Sequence, residues 1–212
     1  MRIIRNILDA FFQLLYHSFA WAYDLVATVV SLGRWESWVL QAQPFVSGRV
    51  LEIGFGPGHL QMALHAGGLE AFGLDESRQM SRQAGHRLRR KGYPVRLLRG
   101  MAQQIPCPDG AFDCVVATFP SEYILEAQTL AEIRRVLKPG GKLVIVPSAW
   151  ITGKRLMERL AAGLFQATGQ AGRLELVLPG MKWRIAGGGF EVRHELVEQE
   201  GSRVLVIVGE KA

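Results

Sequence analysis

VLEIGFGPGHL, residues 50–60, is the stretch whose reading decides the fold. It runs from a short apolar strand carrying one acid, Glu52, straight into a turn built on Gly54, Gly56 and Gly58. Glycines at that spacing let the chain turn with φ > 0 and let a ligand approach bare backbone. The segment after the turn, Gln61 to His65, can open a helix whose free N–H groups and positive dipole end face the same ligand. The expectation is a nucleotide-like cofactor. A dinucleotide fingerprint, G-x-G-x-x-G/A, would place Gly or Ala at position 59, and this chain has His59.

Outward from the turn, strands and helices alternate. Leu69 to Leu74 reads as a second strand ending in Asp75, 17 residues after Gly58. An acid at that strand tip is placed to accept hydrogen bonds from both hydroxyls of a ribose. Val95 to Leu98 is a third short strand, and Cys114 to Thr118 is a continuous apolar strand of the kind buried on both faces of a parallel sheet. Residues from Ala127 to Val146 read as a helix, a turn over Lys138-Pro139-Gly140-Gly141, and a fifth strand. Lys154 to Thr168 places Leu156, Leu160 and Leu164 on one face of an amphipathic helix. Phe190 to Gln199 and Arg203 to Gly209 read as a closing antiparallel pair, with Gly187 to Gly189 as the turn before it.

These motifs resemble those of the class I S-adenosylmethionine-dependent methyltransferases. Val50 to Gly58 fits that family's (V/I)L(D/E)xGxGxG, Gly73 to Ser77 (GLDES) fits GxDxS, and the run through Arg135-Val136-Leu137-Lys138-Pro139-Gly140-Gly141 fits EixRVLKPGGxLxi. The likeness covers about residues 48–147. It implies an α/β, Rossmann-like fold: a seven-stranded, mostly parallel sheet with a C-terminal antiparallel strand and an N-terminal helical extension. It also implies S-adenosylmethionine as cofactor, held by Glu52, Gly54, Phe55, Gly56 and Gly58 at the turn and by Asp75, Glu76 and Met80 after the second strand. The loop from Gly100 resembles the family's GDAxxLPFxxxxFD, whose acid usually binds the adenine amine. Met101 stands in its place, so the adenine is expected against the backbone of Met101 and Ala102 and against apolar contacts. Thr118, Phe119 and Pro120 complete the expected cofactor set, and the sequence there lacks the (N/D/S)-P-P-(Y/F/W) of enzymes that methylate base amines. Methyl transfer to a carbon acid or phenol needs a proton acceptor. Glu122, Tyr123 and His59 are the candidates by position.

Residues 1–31 form the second informative stretch. Polar or small residues recur at Arg2, Asn6, Asp9, Gln13, His17, Ala20, Asp24 and Thr28, a narrow stripe on an otherwise apolar and aromatic helix. The longest run without Asp, Glu, Lys or Arg, Ala10 to Tyr23, is too short for a span of about 20 residues. Asp9, Gln13 and His17 also spoil a signal-peptide apolar region. The readings that remain are a lid on the domain and a helix lying in a membrane interface. Tyr23 to Trp38 is similar to the N-terminal signature of the quinone C-methyltransferases, with Tyr23, Asp24, Ser31, Gly33 and Trp38 at matching spacing. Ala27, Thr28, Trp35 and Glu36 depart from it, so the likeness implies a lid over the cofactor, Tyr23 included, more than it implies that substrate. The expected division is therefore residues 1–47 as lid or interface segment and 48–212 as methyltransferase domain.

The net charge of +6 is local: Arg78 to Arg99 carries eight basic residues and no acid, which leaves the rest of the chain at −2. Such a patch suits an anionic membrane surface or nucleic acid. Tyr93 is its only aromatic residue, which argues against a single-strand stacking platform. Cys107 and Cys114 have no partner cluster, so no metal site is indicated, and they fit a reducing compartment. Three functions follow as expectations: methylation of a lipophilic acceptor (a quinone-like ring or phospholipid amine) at a membrane surface, methylation of a small molecule by a soluble enzyme with the N-terminal helix as a lid, or nucleic-acid binding on the same fold. The expected location is cytoplasmic, free or peripheral on the inner face of the membrane.

Overall fold

The computed structural model describes residues 31, 33–152, 174–199 and 201–212. The helices expected over 1–31 and 154–168, and Tyr23 with them, lie outside the described residues. The first described element is a short helix, α1 (Trp35–Val39), which tightens into a 3-10 turn over Leu40–Phe45. Trp38, Val39 and Ala42 are buried against Val50, Val116 and Val144 of the sheet. The Trp38 indole Nε1 donates to Ser202 Oγ at 3.0 Å. Packing is thus continuous across the expected division at 47/48, because these apolar side chains complete one face of the sheet's core.

Seven strands follow: β1 (Arg49–Ile53), β2 (Glu70–Asp75), β3 (Leu97–Arg99), β4 (Phe112–Thr118), β5 (Leu137–Ile151), β6 (Phe190–Gln199) and β7 (Ser202–Lys211). Their order in the sheet is β3-β2-β1-β4-β5-β7-β6. The first five pair in parallel, and β7 alone runs antiparallel to both its neighbours. This is the mostly parallel sheet with an antiparallel C-terminal strand that the sequence implies. Helices α2 (His59–Ala66), α3 (Arg78–Arg90), α4 (Ala127–Val136) and α5 (Leu174–Gly187), with a 3-10 turn over Glu122–Leu125, complete the described elements. The sheet separates two apolar layers: Leu51, Ile53 and Val115 pack with Leu130 and Ile133 of α4, while Val50, Cys114 and Val116 pack with Leu60 and Leu64 of α2.

Two local expectations need correction. The third strand begins at Leu97 and not at Val95, which is 40% exposed. Lys138 to Gly141 is not a free turn but lies inside β5. Between the pairs Phe112 with Leu137 and Cys114 with Lys142, the ladder advances two residues on β4 and five on β5. Gly140, at φ +69°, lets the surplus residues bulge out and rejoin the sheet.

The order of connection positions the site. β2 and β3 are added on one side of β1, and the chain then crosses back to lay β4 on the other. The resulting crevice, outside the carboxyl ends of β1 and β4, is where open α/β sheets bind ligands.

Candidate active site

The turn after β1 has Gly54, Gly56 and Gly58 at φ +70°, +50° and +88°. Each serves a different need. A Cβ on Gly58 would lie 2.8 Å from the Cβ of Ala84, so the missing side chain lets α2 and α3 close together. A Cβ on Gly56 would meet nothing within 4 Å, so that backbone lies open. The Gly54 N–H extends the ladder by donating to the Leu74 carbonyl at 2.8 Å. Gly73 makes room for Phe55, whose Cδ1 would stand 2.5 Å from an added Cβ.

Asp75 ends β2 facing this turn and is only 3% exposed. Its Oδ2 accepts the Gly56 N–H at 2.9 Å and its Oδ1 accepts the Ser77 N–H at 2.8 Å. Each oxygen keeps a further lone pair for a ligand hydroxyl. Burial raises the pKa of Asp75, and the two backbone bonds act against that rise. Ser77 also caps α3 by accepting the Met80 N–H, so the bend that aims Asp75 is held from both ends.

Glu52 is buried in β1, one residue before its end. Its Oε2 accepts from Gln61 Nε2 at 2.9 Å, and the same nitrogen donates to the Phe72 carbonyl at 3.0 Å. Desolvation pushes the Glu52 pKa up to about 8; the Gln61 bond works against it, and the charge of Asp75 adds to it. At neutral pH the carboxyl is mostly protonated, which lessens repulsion between the two acids.

A cavity of about 730 Å³ joins these groups. That volume suits a cofactor-sized ligand. Glu52, Gly54, Phe55, Gly56, Asp75, Glu76, Met80, Met101, Ala102, Thr118, Phe119 and Pro120 all line it. Gly58 is not among the lining residues, because it faces Ala84. Bare backbone at Gly56 and a carboxylate with lone pairs to spare fit the amino-acid tail and ribose of S-adenosylmethionine. Trp35 of α1 and Gln103 also line the cavity and Gln61 supports Glu52 beneath it, and no sequence motif marks these three for the site. Trp35 lies with its ring centroid 4.4 Å from that of Phe119, and Trp38 lies 6.4 Å from it. Phe119 takes φ +48°, a conformation non-glycine residues rarely adopt, just past the end of β4.

The three proton-acceptor candidates fare differently. Tyr123 lines the cavity, with its hydroxyl 2.7 Å from where a Gly54 Cβ would stand. Glu122 is exposed and outside the lining, because the 3-10 turn Glu122–Leu125 directs its neighbour inward instead. His59 lines the cavity, but Arg87 Nη1 stands 2.8 Å from its Nε2. A guanidinium only donates, so the lone pair a base would use is already engaged. Its Nδ1 lies 3.5 Å from Glu36 Oε1.

A mostly parallel sheet of this order, with a glycine turn and a buried carboxylate meeting at its switch point, is the class I S-adenosylmethionine-dependent methyltransferase fold. Residues 51–145, a little under half of the chain, match the family of methyltransferase domains. Among curated relatives, a ubiquinone/menaquinone biosynthesis C-methyltransferase of Burkholderia mallei is 34% identical over 139 residues, 62% of this chain. A Burkholderia thailandensis protein of the same description matches equally. The chain spans 57% of the length of these relatives. Of solved structures, a Thermotoga maritima S-adenosylmethionine-dependent methyltransferase superposes with a TM-score of 0.61 at 21% identity, covering 94% of this chain and 99% of that one. One from Aquifex aeolicus gives 0.60 at 19% identity, covering 84% and 93%. At these identities the structures speak for the fold alone.

Proposed function

We propose that the protein transfers a methyl group from S-adenosylmethionine to a lipophilic, planar acceptor, a quinone-like ring, received at a membrane surface. The observation that carries this reading is the apolar wall at one end of the cavity, where the Trp35 ring lies against Phe119 with Val39 and Pro120 beside it. Such a wall offers stacking area and few hydrogen bonds, which suits a ring better than a polar amine. The description of the relatives as quinone C-methyltransferases points the same way. Trp35 also favours a lid role for the segment that precedes β1, since α1 lies over the cavity.

The cofactor supplies an activated methyl on a good leaving group. This chain's residues then have to align the acceptor and exclude water, and much of the rate can come from that positioning. Gly54, Gly56 and Glu52 would hold the amino-acid tail, Asp75 and Glu76 the ribose, and Leu74, Met101 and Ala102 the adenine. A carbon acceptor must also lose a proton, and Tyr123 is the cavity group positioned to accept it or pass it on.

Membrane approach rests on a separate feature. Met80, Ala84 and Leu88 bury one face of α3, which turns Arg78, Arg82, Arg89 and Arg90 outward, with Lys91 beside them. Each such charge near an anionic leaflet contributes about 1 kcal/mol. No helix of the described residues is long and apolar enough to cross a membrane, so attachment would be peripheral.

The experiment is to incubate the protein and methyl-labelled cofactor with total lipid extract and with an aqueous metabolite pool. Label in a lipid-soluble ring product is the expected result. Label confined to water-soluble products would replace this reading with that of a small-molecule methyltransferase whose N-terminal segment is only a lid. In parallel, flotation with anionic vesicles should carry the protein upward, and the triple change Arg82→Ser, Arg89→Ser, Arg90→Ser should leave it at the bottom. Equal flotation of both would remove the basic face from the proposal.

A further inference from the structure

The end of the cavity beyond Asp75 is bounded by Leu74 and Glu76 on one side and by Gly100, Met101, Ala102 and Gln103 on the other. Met101 is 58% exposed there and offers only a thioether, a poor acceptor for an amine. An adenine lodged at this end would therefore leave its exocyclic N–H groups without a charged partner at position 101. Gln103, two residues later, offers a neutral amide instead. Its Nε2 donates to Glu126 Oε2 at 2.8 Å, while its backbone carbonyl accepts Gln128 Nε2 at 3.2 Å. The Gln104 N–H closes the loop onto the Met101 carbonyl at 3.1 Å.

The Glu126 contact fixes which way the amide is turned. A carboxylate only accepts, so Gln103 must present its NH₂ group to Glu126, which leaves Oε1 as the acceptor this cavity-lining side chain can offer a ligand. A side-chain amide held this way reads a donor and rejects an acceptor; an amide free to rotate reads both.

We propose that Gln103 is the adenine-reading residue of this protein, its carbonyl accepting from the exocyclic amine in place of the acid that Met101 displaces, with Glu126 as the positioning residue that orients it. The inference rests on the cofactor reading of the cavity. It assigns specificity to a neutral amide and its anchor, and so it predicts that discrimination depends on Glu126, which contacts no part of the cofactor.

The test is the ratio of dissociation constants for S-inosylhomocysteine and S-adenosylhomocysteine, measured by calorimetry on the full chain. Inosine replaces the amine by a carbonyl, which an orientated Gln103 would repel. The unaltered protein should favour the adenosyl ligand at least tenfold. Gln103→Leu should lower that ratio by about tenfold, the worth of one hydrogen bond made or lost in a partly enclosed site. Glu126→Ala should lower it as well, through tighter binding of the inosyl ligand, because the amide can then turn its NH₂ to the carbonyl. The double change Gln103→Glu with Glu126→Gln reverses the pair, restores an anchored acceptor at 103, and should restore the ratio. Melting temperatures within 2–3 °C of the unaltered protein, about 1 kcal/mol or less for a domain of this size, exclude misfolding as the cause. A wild-type ratio in Gln103→Leu overturns the inference while leaving the cofactor reading intact. Failure of the unaltered protein to bind either ligand overturns both.

Discussion

Replacing Glu52 by glutamine isolates the effect of a single buried proton. Burial raises the Glu52 pKa from 4.5 to about 8 in the folded protein. In the unfolded chain the same group ionises near 4.5, so between these pH values the folded state binds a proton that the unfolded state has released. Stability held by the neutral carboxyl is complete below about pH 4.5 and is lost as the pH rises toward 8. The slope is about 1.4 kcal/mol per pH unit, and from pH 6 to pH 8 the loss amounts to about 2–3 kcal/mol. Glutamine has nearly the same shape, and its carbonyl can still accept from Gln61 Nε2, but it has no proton to lose. Urea unfolding at pH 6, 7 and 8 should therefore show the unaltered protein losing stability against Glu52→Gln by that amount. His65, whose pKa burial lowers, acts in the opposite sense near pH 6, but it is common to both proteins and cancels in the difference. Parallel stability profiles across this range would refute the reasoning, because they would mean that Glu52 ionises in the fold as it does in water.

Gly58→Ala sets a methyl 2.8 Å from the Ala84 Cβ at a φ of +88°; a loss of about 1–3 kcal/mol is expected in thermal or urea unfolding, with weaker cofactor binding because the turn moves. Asp75→Asn offers an NH₂ to one of two backbone N–H groups that now find oxygen; it should cost about 1–3 kcal/mol in stability and at least tenfold in S-adenosylhomocysteine affinity by calorimetry. Trp35→Ala removes one half of the aromatic wall; the KM for a ring acceptor should rise about 3–10-fold, the worth of one aromatic contact, while the dissociation constant for S-adenosylhomocysteine changes less than twofold. His59→Gln should leave kcat within about threefold at neutral pH, since the ring nitrogen facing Arg87 is already bonded; a loss of 100-fold or more, the usual worth of a general base, would restore His59 to that role.

Much of the fold could be read along the chain, because its signals are local. Apolar runs at Cys114 to Thr118, glycines with an acid two residues before them, and an acid ending a strand each depend on neighbours a few residues away. Gly54, Asp75 and Ser77 were legible for that reason, and so was the alternation of strand and helix that makes a parallel sheet. The turn assigned to Lys138–Gly141 was not, since a bulge inside β5 and a turn between elements share the same glycines and differ only in whether β4 lies alongside. Glu122 and Tyr123 are adjacent in sequence, and only the direction of a 3-10 turn gives the cavity to one and solvent to the other. His59 looked available until Arg87, 28 residues on, was folded against it. Only the folded chain sets Trp35 against Phe119, Gln61 beneath Glu52, and Glu126 against Gln103. Strand, turn and helix are specified by periodicity and backbone preference, which every residue carries with it. Which side chains meet across the crevice depends on how β1 and β4 are set side by side, and no stretch of the chain records that alone.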